Sequence, residues 1–382
     1  MTTAMKRRFI YNCDGGNLYN NQAPLLRPDD LYPYVDEVVD RNITSFFISP
    51  NLGMNANLPG AINEMFGTNA SPTLAEKIKP GVVTKSGSLE RLAANLQSLV
   101  DAGHDPLELV LARAKHKQRE VFISFRMNEV HNVSDPDSLL FSRFWKGHPE
   151  WHIGTPGDKL PDVYLQIIGS TITQRHRELL ASWQPGGLNY AIPEVREHRL
   201  SQLRECCERY SVDGLDLDFQ RAPIYFRPGE EQDHVKTMNA WIREVRQMTQ
   251  EVSRTRAEPL LLSARVLARP EQNTAIGLDP FAWAAEGLVD FLTIGHFLRN
   301  DFLLPVAEFR ELLPADLPLY ACIEITQEPH EYRTIAKQLW QAGADGLMLF
   351  NFFCYRERGK EPPFELLDVL GDPETLLQKG EW

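Results

Sequence analysis

Between Val212 and Pro223 the chain reads Val-Asp-Gly-Leu-Asp-Leu-Asp-Phe-Gln-Arg-Ala-Pro, with Asp216, Asp218 and Gln220 at every second position. Alternation along a strand places these three on one face. Two carboxyls held that close raise each other's proton affinity, which moves such groups toward acid and base work near neutral pH. A third carboxyl, Glu324, closes another apolar run, Leu317 to Ile325, and shares its face with Tyr320 and Cys322. Carboxyls on separate strands suit a hydrolysis in which one gives a proton and the other attacks or holds developing charge. Asp218 and Glu324 are the candidate catalytic pair, with Asp216 behind Asp218 as a charge that orients it.

Elements that could position such a pair recur along the chain. Eight short runs rich in β-branched and aromatic residues are Phe9 to Asp14, Thr44 to Asn51, Glu120 to Asn128, Gly214 to Gln220, Leu260 to Leu267, Phe291 to His296, Leu317 to Ile325 and Gly346 to Phe352. Amphipathic stretches alternate with them, among them Asp29 to Arg41, Pro106 to Lys117, Pro193 to Tyr210, Val235 to Arg254, Val306 to Leu313 and His330 to Ala342. Strands and helices in this alternation predict an α/β fold, a (β/α)8 TIM barrel. The whole of residues 1–382 is read as one such domain. Long Pro-, Gly- and Asn-rich stretches after the second strand (Leu52 to Gly87) and the third (Glu129 to Asn189) should roof the end of the barrel where active sites of this fold lie.

An outer face that meets helices must be apolar, so the polar alternates point to the axis. That test turns Asn12 and Asp14, Ser49 and Asn51, Ser124, Arg126 and Asn128, Ser263 and Arg265, and Asn351 inward along with the carboxyls. Burying several charges in one mouth costs several kcal/mol unless they pair or bind something. Aromatic residues of the loops, Trp145, Trp151, Tyr190, Tyr225, Phe226, Phe297 and Tyr355, are either loop core or platforms for a ring.

A formal charge of -12 and the absence of a basic stripe beyond Lys6-Arg7-Arg8 argue against a nucleic-acid partner. Hydrophobic and charged fractions of 43% and 24% are those of a globular chain. No apolar run approaches the ~20 residues that span a bilayer, so no membrane partner is expected. The residues after Arg8 turn polar too soon for a signal peptide, which points to a cytoplasmic location unless a leader has been removed. Five dispersed cysteines suit neither a disulfide framework nor a zinc ribbon; Cys13, Cys322 and Cys354 read as strand or core residues, and Cys206-Cys207 as helix neighbours too close to bridge. Neither a dinucleotide fingerprint nor metal-spaced histidines are found, and no cofactor or metal is expected.

The Asp213-Gly214-x-Asp216-x-Asp218-x-Gln220 motif resembles the fourth-strand signature of the family 18 chitinases, in which the last position is the proton-donating Glu. Gln220 neither gives nor takes a proton, so that mechanism does not carry over. Asp213, Gly214, Asp218, Phe219, Arg221 and Pro223 are similar to the fourth strand of the bacterial family 10 glycosylhydrolase-like barrels. The likeness extends to Asp105-Pro106-Leu107, Ser124-Phe125-Arg126-Met127-Asn128, His148-Pro149-Glu150-Trp151 and Asn189-Tyr190-Ala191-x-Pro193-Glu194-Val195-Arg196. This resemblance implies a barrel that hydrolyses glycosides, with carbohydrate as its partner. Asp218 and Glu324 would then flank the scissile bond. Asp14, Asn51, Arg126, Asn128, His131, Trp151, Asp216, Gln220, Arg221, Arg265, His296 and Asn351 would line the substrate, and Glu129 is an alternative acid or base. Two inward arginines would suit an oligosaccharide or decorated sugar that carries negative charge, or they pair with the aspartates instead. A carbohydrate-binding barrel without activity, and a barrel lyase or metal-dependent hydrolase, are the competing readings.

Overall fold

A computed structural model describes residues 7–378 apart from 23–24, 80–84, 132–134, 136, 155–157, 159–185, 298–299, 301 and 327. Much of the expected loop after the third strand therefore lies outside the described residues. All eight expected strands form: β1 (Arg8–Cys13), β2 (Ser45–Ile48), β3 (Glu120–Arg126), β4 (Gly214–Asp218), β5 (Leu261–Leu267), β6 (Phe291–Gly295), β7 (Leu319–Ile323) and β8 (Gly346–Leu349). They are parallel and close into a barrel in chain order, β8 pairing back onto β1. This is the (β/α)8 architecture.

The principal helices are α1 (Pro28–Val39), α2 (Leu89–Asp101), α3 (Pro106–His116), α4 (Pro193–Arg209), α5 (Val235–Arg256), α6 (Pro280–Ala285), α7 (Val306–Leu312) and α8 (Pro329–Gln341). Proline opens α1, α3, α4, α6 and α8, at a position where its missing N–H costs nothing. The outward alternates of the strands, such as Phe46, Ile123, Leu217, Val266 and Leu347, pack against these helices in one continuous apolar layer. After β2 the chain forms a short ribbon, Asn51–Leu52 against Asn55–Ala56.

Inside the barrel the alternation gives three levels. At the floor, Arg8 makes a two-pronged ion pair with Glu120 (2.7 and 2.9 Å) and donates to the Tyr320 hydroxyl (2.9 Å). Above it, Ile10, Phe47, Phe122, Phe291, Tyr320 and Met348 form a separate apolar plug, with Phe47 stacked on Phe122 at 4.4 Å. The polar third level is the mouth. Gly214 is explained by the plug: a Cβ there would stand 2.0 Å from Phe122 Cε1. Its neighbour Asp213 is equally architectural, since its Oδ2 accepts the Val121 N–H at 2.7 Å; Asp290 and Asp345 repeat the tie at the starts of β6 and β8.

Asn351 reaches the mouth as expected, on Glu324 Oε1, but not by simple alternation along β8. Gly346 and Met348 point inward, and Phe350 continues their face into the interior cluster, so alternation turns Asn351 outward. A left-handed backbone at Asn351 (φ 57°) returns its side chain to the mouth. No cysteine forms a disulfide: Cys13 and Cys322 are buried strand residues as expected, Cys206 and Cys207 are neighbours on α4 as expected and both buried, whereas Cys354 is only half-buried, in the 3-10 helix after β8.

Candidate active site

Strand register puts Arg126, Asp218 and Arg265 in one row across β3, β4 and β5 at the barrel's C-terminal end. Arg265 holds Asp218 through Nε (3.0 Å) and Nη2 (2.9 Å), and its Cζ lies 3.8 Å from the Phe350 ring centre. Asp218 Oδ1 also accepts the backbone N–H groups of Gln220 (3.0 Å) and Arg221 (3.3 Å). Both oxygens are thus committed to the protein. One residue pair deeper, Asp216 accepts the hydroxyls of Ser124 and Ser263, each at 2.7 Å. Burial and the Asp218 charge push Asp216 up to about 6, against the pull of the two serines and Arg265.

Gln220 is not an idle remnant. Its Nε2 donates to the carbonyls of Val266 on β5 and Gly295 on β6, and its Oε1 accepts Arg265 Nη1 at 3.1 Å. Gly295 leaves room for it, because a Cβ there would approach Oε1 to 3.2 Å. A carboxylate at this position would turn an oxygen toward two carbonyl oxygens, so an amide is the group that fits.

Glu324, just past β7, is 2% exposed. Asn351 Nδ2 (2.7 Å) and the Ile325 N–H (3.1 Å) both donate to its Oε1. Asn300 fixes its backbone from both sides, accepting the Glu324 N–H at 2.9 Å and donating to the carbonyl at 2.7 Å. Among the described residues no hydrogen bond reaches Oε2. Burial raises this carboxyl, in opposition to Arg265, the Ile325 N–H, Arg221 and Asn351.

On the β3 side a second charged cluster forms. Arg126 Nη1 donates to Glu129 Oε2 at 3.0 Å, and both side chains are 1% exposed. His131 Nδ1 contacts Glu129 Oε1, while its Nε2 faces Arg221 Nη2 at 3.3 Å. Arginine can only donate, so Nε2 is the acceptor and Nδ1 carries the proton. That neutral tautomer agrees with burial lowering the histidine's pKa. Burial would raise Glu129, but His131, Arg126 and Arg221 together hold it well below the usual carboxylate range.

The remaining expected residues serve the scaffold or the rim. The Asn51 amide pairs with both backbone groups of Arg126, at 3.0 Å each. Asn128 spans the Leu188 N–H and carbonyl and also meets the Ile224 carbonyl. His296 Nε2 donates to the Phe302 carbonyl at 2.7 Å. Trp151 stacks on His148 with ring centres 3.5 Å apart, inside the cap. Asp14 accepts the Asn17 N–H at 3.2 Å. Of the loop aromatics, Trp145, Tyr190, Tyr225, Phe226, Phe297 and Tyr355 are all buried. Glu357, which no strand pattern marks, joins Asp14 at the rim: desolvation and then the Asp14 charge raise its pKa. It sits in a turn beyond β8, where only the fold could bring it near. Among the described residues no group of three or more His, Cys, Asp or Glu is arranged around a metal site, and no helix is long and apolar enough to cross a membrane.

No protein-family model and no curated protein matches the chain. Solved structures do. The PgaB (BpsB) glycoside hydrolase domain from Bordetella bronchiseptica superposes with a TM-score of 0.53 at 11% identity, over 96% of this chain and 99% of that one. The likeness is one of fold. An α-amylase from Geobacillus thermoleovorans, solved with acarbose, overlaps less well, with a TM-score of 0.49 at 13% identity over 97% of this chain and 79% of that one, and adds nothing to the assignment.

Proposed function

We propose that this barrel is a glycoside hydrolase in which Glu324 is the proton donor and Asp218, paired with Arg265, is the carboxylate that meets positive charge developing at the sugar carbon. The observation that carries the reading is Glu324 itself. It is a mouth carboxyl raised by burial, anchored through Oε1, with Oε2 left for a glycosidic oxygen. Support also comes from the resemblance of the β4 motif to the family 10-like barrels and from a structural neighbour that is a glycoside hydrolase domain. Water is the second reactant, and the proton that Glu324 gives to the leaving oxygen returns to it from that water.

One observation favours a second reading, a sugar-binding barrel without turnover: both Asp218 oxygens are already engaged by Arg265 and backbone N–H groups. The two separate on one glycan panel, with hydrolysis followed by reducing-end release and binding by calorimetry. The hydrolase reading expects turnover that Glu324→Gln and Asp218→Asn abolish, with unfolding midpoints showing that both variants remain folded. Binding without product in the wild type would establish the second reading, and two fully active variants would remove both carboxyls from the chemistry.

A further inference from the structure

Arg126 uses only one corner of its guanidinium. Nη1 meets Glu129, while Nε and Nη2 are buried and, among the described residues, without any acceptor. Nε–H and Nη2–H are the two parallel donors of the guanidinium edge, which matches the two oxygens of a planar carboxylate. Arg221 adds a buried Nε with no hydrogen-bond partner among the described residues; its nearest anion, Glu129 Oε2, is 3.8 Å away. Leaving charged donors desolvated and unpaired is unfavourable, and Glu129 offsets only one of the two arginine charges. Arg265, the other inward arginine, is different: Asp218 and Gln220 occupy it. Among the described residues of the mouth, the arginine donors without an acceptor belong to Arg126 and Arg221.

This capacity adjoins the reacting position. Arg126 is the register partner of Asp218, and the Arg221 charge is felt by Glu324. The cluster's outer layer is the His131–Arg221 contact, with side chains 23% and 14% exposed above the 1% of Arg126 and Glu129. His131 accepts rather than donates there, so at Arg221 Nη2 an incoming carboxylate displaces a neutral imidazole, while Glu129, 3.8 Å from Arg221 Nε, stays as the neighbouring anion.

Resting on the glycosidase reading, we propose that Arg126 and Arg221 form a carboxylate subsite, so that the sugar bound beside Glu324 carries a carboxyl group, as a uronic acid or a carboxyalkyl-substituted sugar does. A guanidinium edge also grips tetrahedral oxyanions in two-pronged fashion, so the sulfate ester is the competing ligand that the test includes.

The test has one arm for binding and another for hydrolysis. Calorimetry compares sodium glucuronate, glucose and glucose 6-sulfate on the wild-type chain, on Arg126→Lys and on Arg221→Gln. Arg126→Lys keeps the charge that Glu129 needs but removes the paired donors, and a denaturation curve shows that it stays folded. Expected is a glucuronate preference over glucose of about ten- to a hundredfold, the size of a two-pronged charge-assisted contact, largely lost in Arg126→Lys. Equal affinity for glucuronate and glucose, a preference for the sulfate, or a glucuronate preference that survives in both variants overturns the subsite. In the second arm, uronate-containing oligosaccharides are offered before and after chemical reduction of their carboxyls to hydroxymethyl groups. Cleavage of the untreated form only supports the subsite. Equal cleavage of both forms overturns it while leaving the glycosidase reading intact, whereas cleavage of neither form, with glucuronate bound selectively, counts against the glycosidase reading and leaves the subsite standing.

Discussion

Replacing Gln220 by Glu changes one nitrogen to oxygen and creates the residue that the chitinase signature has at this position. In the barrel that nitrogen donates to the Val266 and Gly295 carbonyls. The ionised variant loses both bonds and sets an anionic oxygen against two carbonyl dipoles. Counting about 1 to 3 kcal/mol for each of the two buried acceptors left unpaired, the loss is about 2 to 6 kcal/mol. Protonation restores one donor, so the pKa of the introduced carboxyl rises in the folded chain above its value in the unfolded chain. A carboxyl whose folded pKa is raised contributes stability below the unfolded value and loses it as pH climbs through the folded value. Q220E is therefore expected to be closest to wild type near pH 4 and furthest from it near pH 8. Urea denaturation of both proteins at these two pH values reads the difference directly. A variant as stable as wild type at pH 8, above all one that gained chitin-cleaving activity, would refute the assignment of Gln220 as a clamp between strands.

Asp216, displaced from 3.8 to about 6, should cost the wild type stability as pH rises across that interval, by about 3 kcal/mol, because the folded chain holds the proton longer than the unfolded one. Asp216→Asn should flatten that part of the pH profile of denaturation midpoints; an unchanged slope would mean that Asp216 does not hold the proton. Gly214→Ala places a methyl 2.0 Å from Phe122 and should lower stability by about 1 to 3 kcal/mol or more, measured by denaturation. Asp213→Ala removes the tie to the Val121 N–H and should lower stability by about 1 kcal/mol without altering affinity for any ligand at the mouth, which calorimetry checks.

Much of the β4 signature thus proves to be architecture. Asp213 ties strand starts, Gly214 admits an aromatic ring, Gln220 bolts three strands, and Asp105 caps α3 through the Leu107 and Glu108 N–H groups while receiving Arg209 and Tyr210. Tyr190 likewise closes a loop by donating to the Met127 carbonyl at 2.6 Å.

The strands were legible because their apolar runs are bounded by Gly, Asp and Pro, and a two-residue period fixes which side chains face the axis. That period correctly gathered Asp216, Asp218, Ser263, Arg265 and Glu324 into one mouth. Asn351 reaches the mouth too, though through a left-handed backbone rather than the strand period, and the period carries no information about Asn300, Glu129 or Glu357, which lie beyond strand ends. Nor can spacing tell an amide that binds substrate from one that binds backbone: Asn51, Asn128 and Gln220 look alike in a list, and only the carbonyls and N–H groups brought beside them by the closed barrel assign their hydrogen bonds. The same holds for the arginines. From sequence alone Arg126 and Arg265 are equivalent inward cations that flank Asp218 in register; in the folded chain Arg265 takes the Asp218 carboxylate, Arg126 turns to Glu129, and among the described residues its Nε and Nη2 meet no acceptor, a choice of side-chain direction that spacing does not encode.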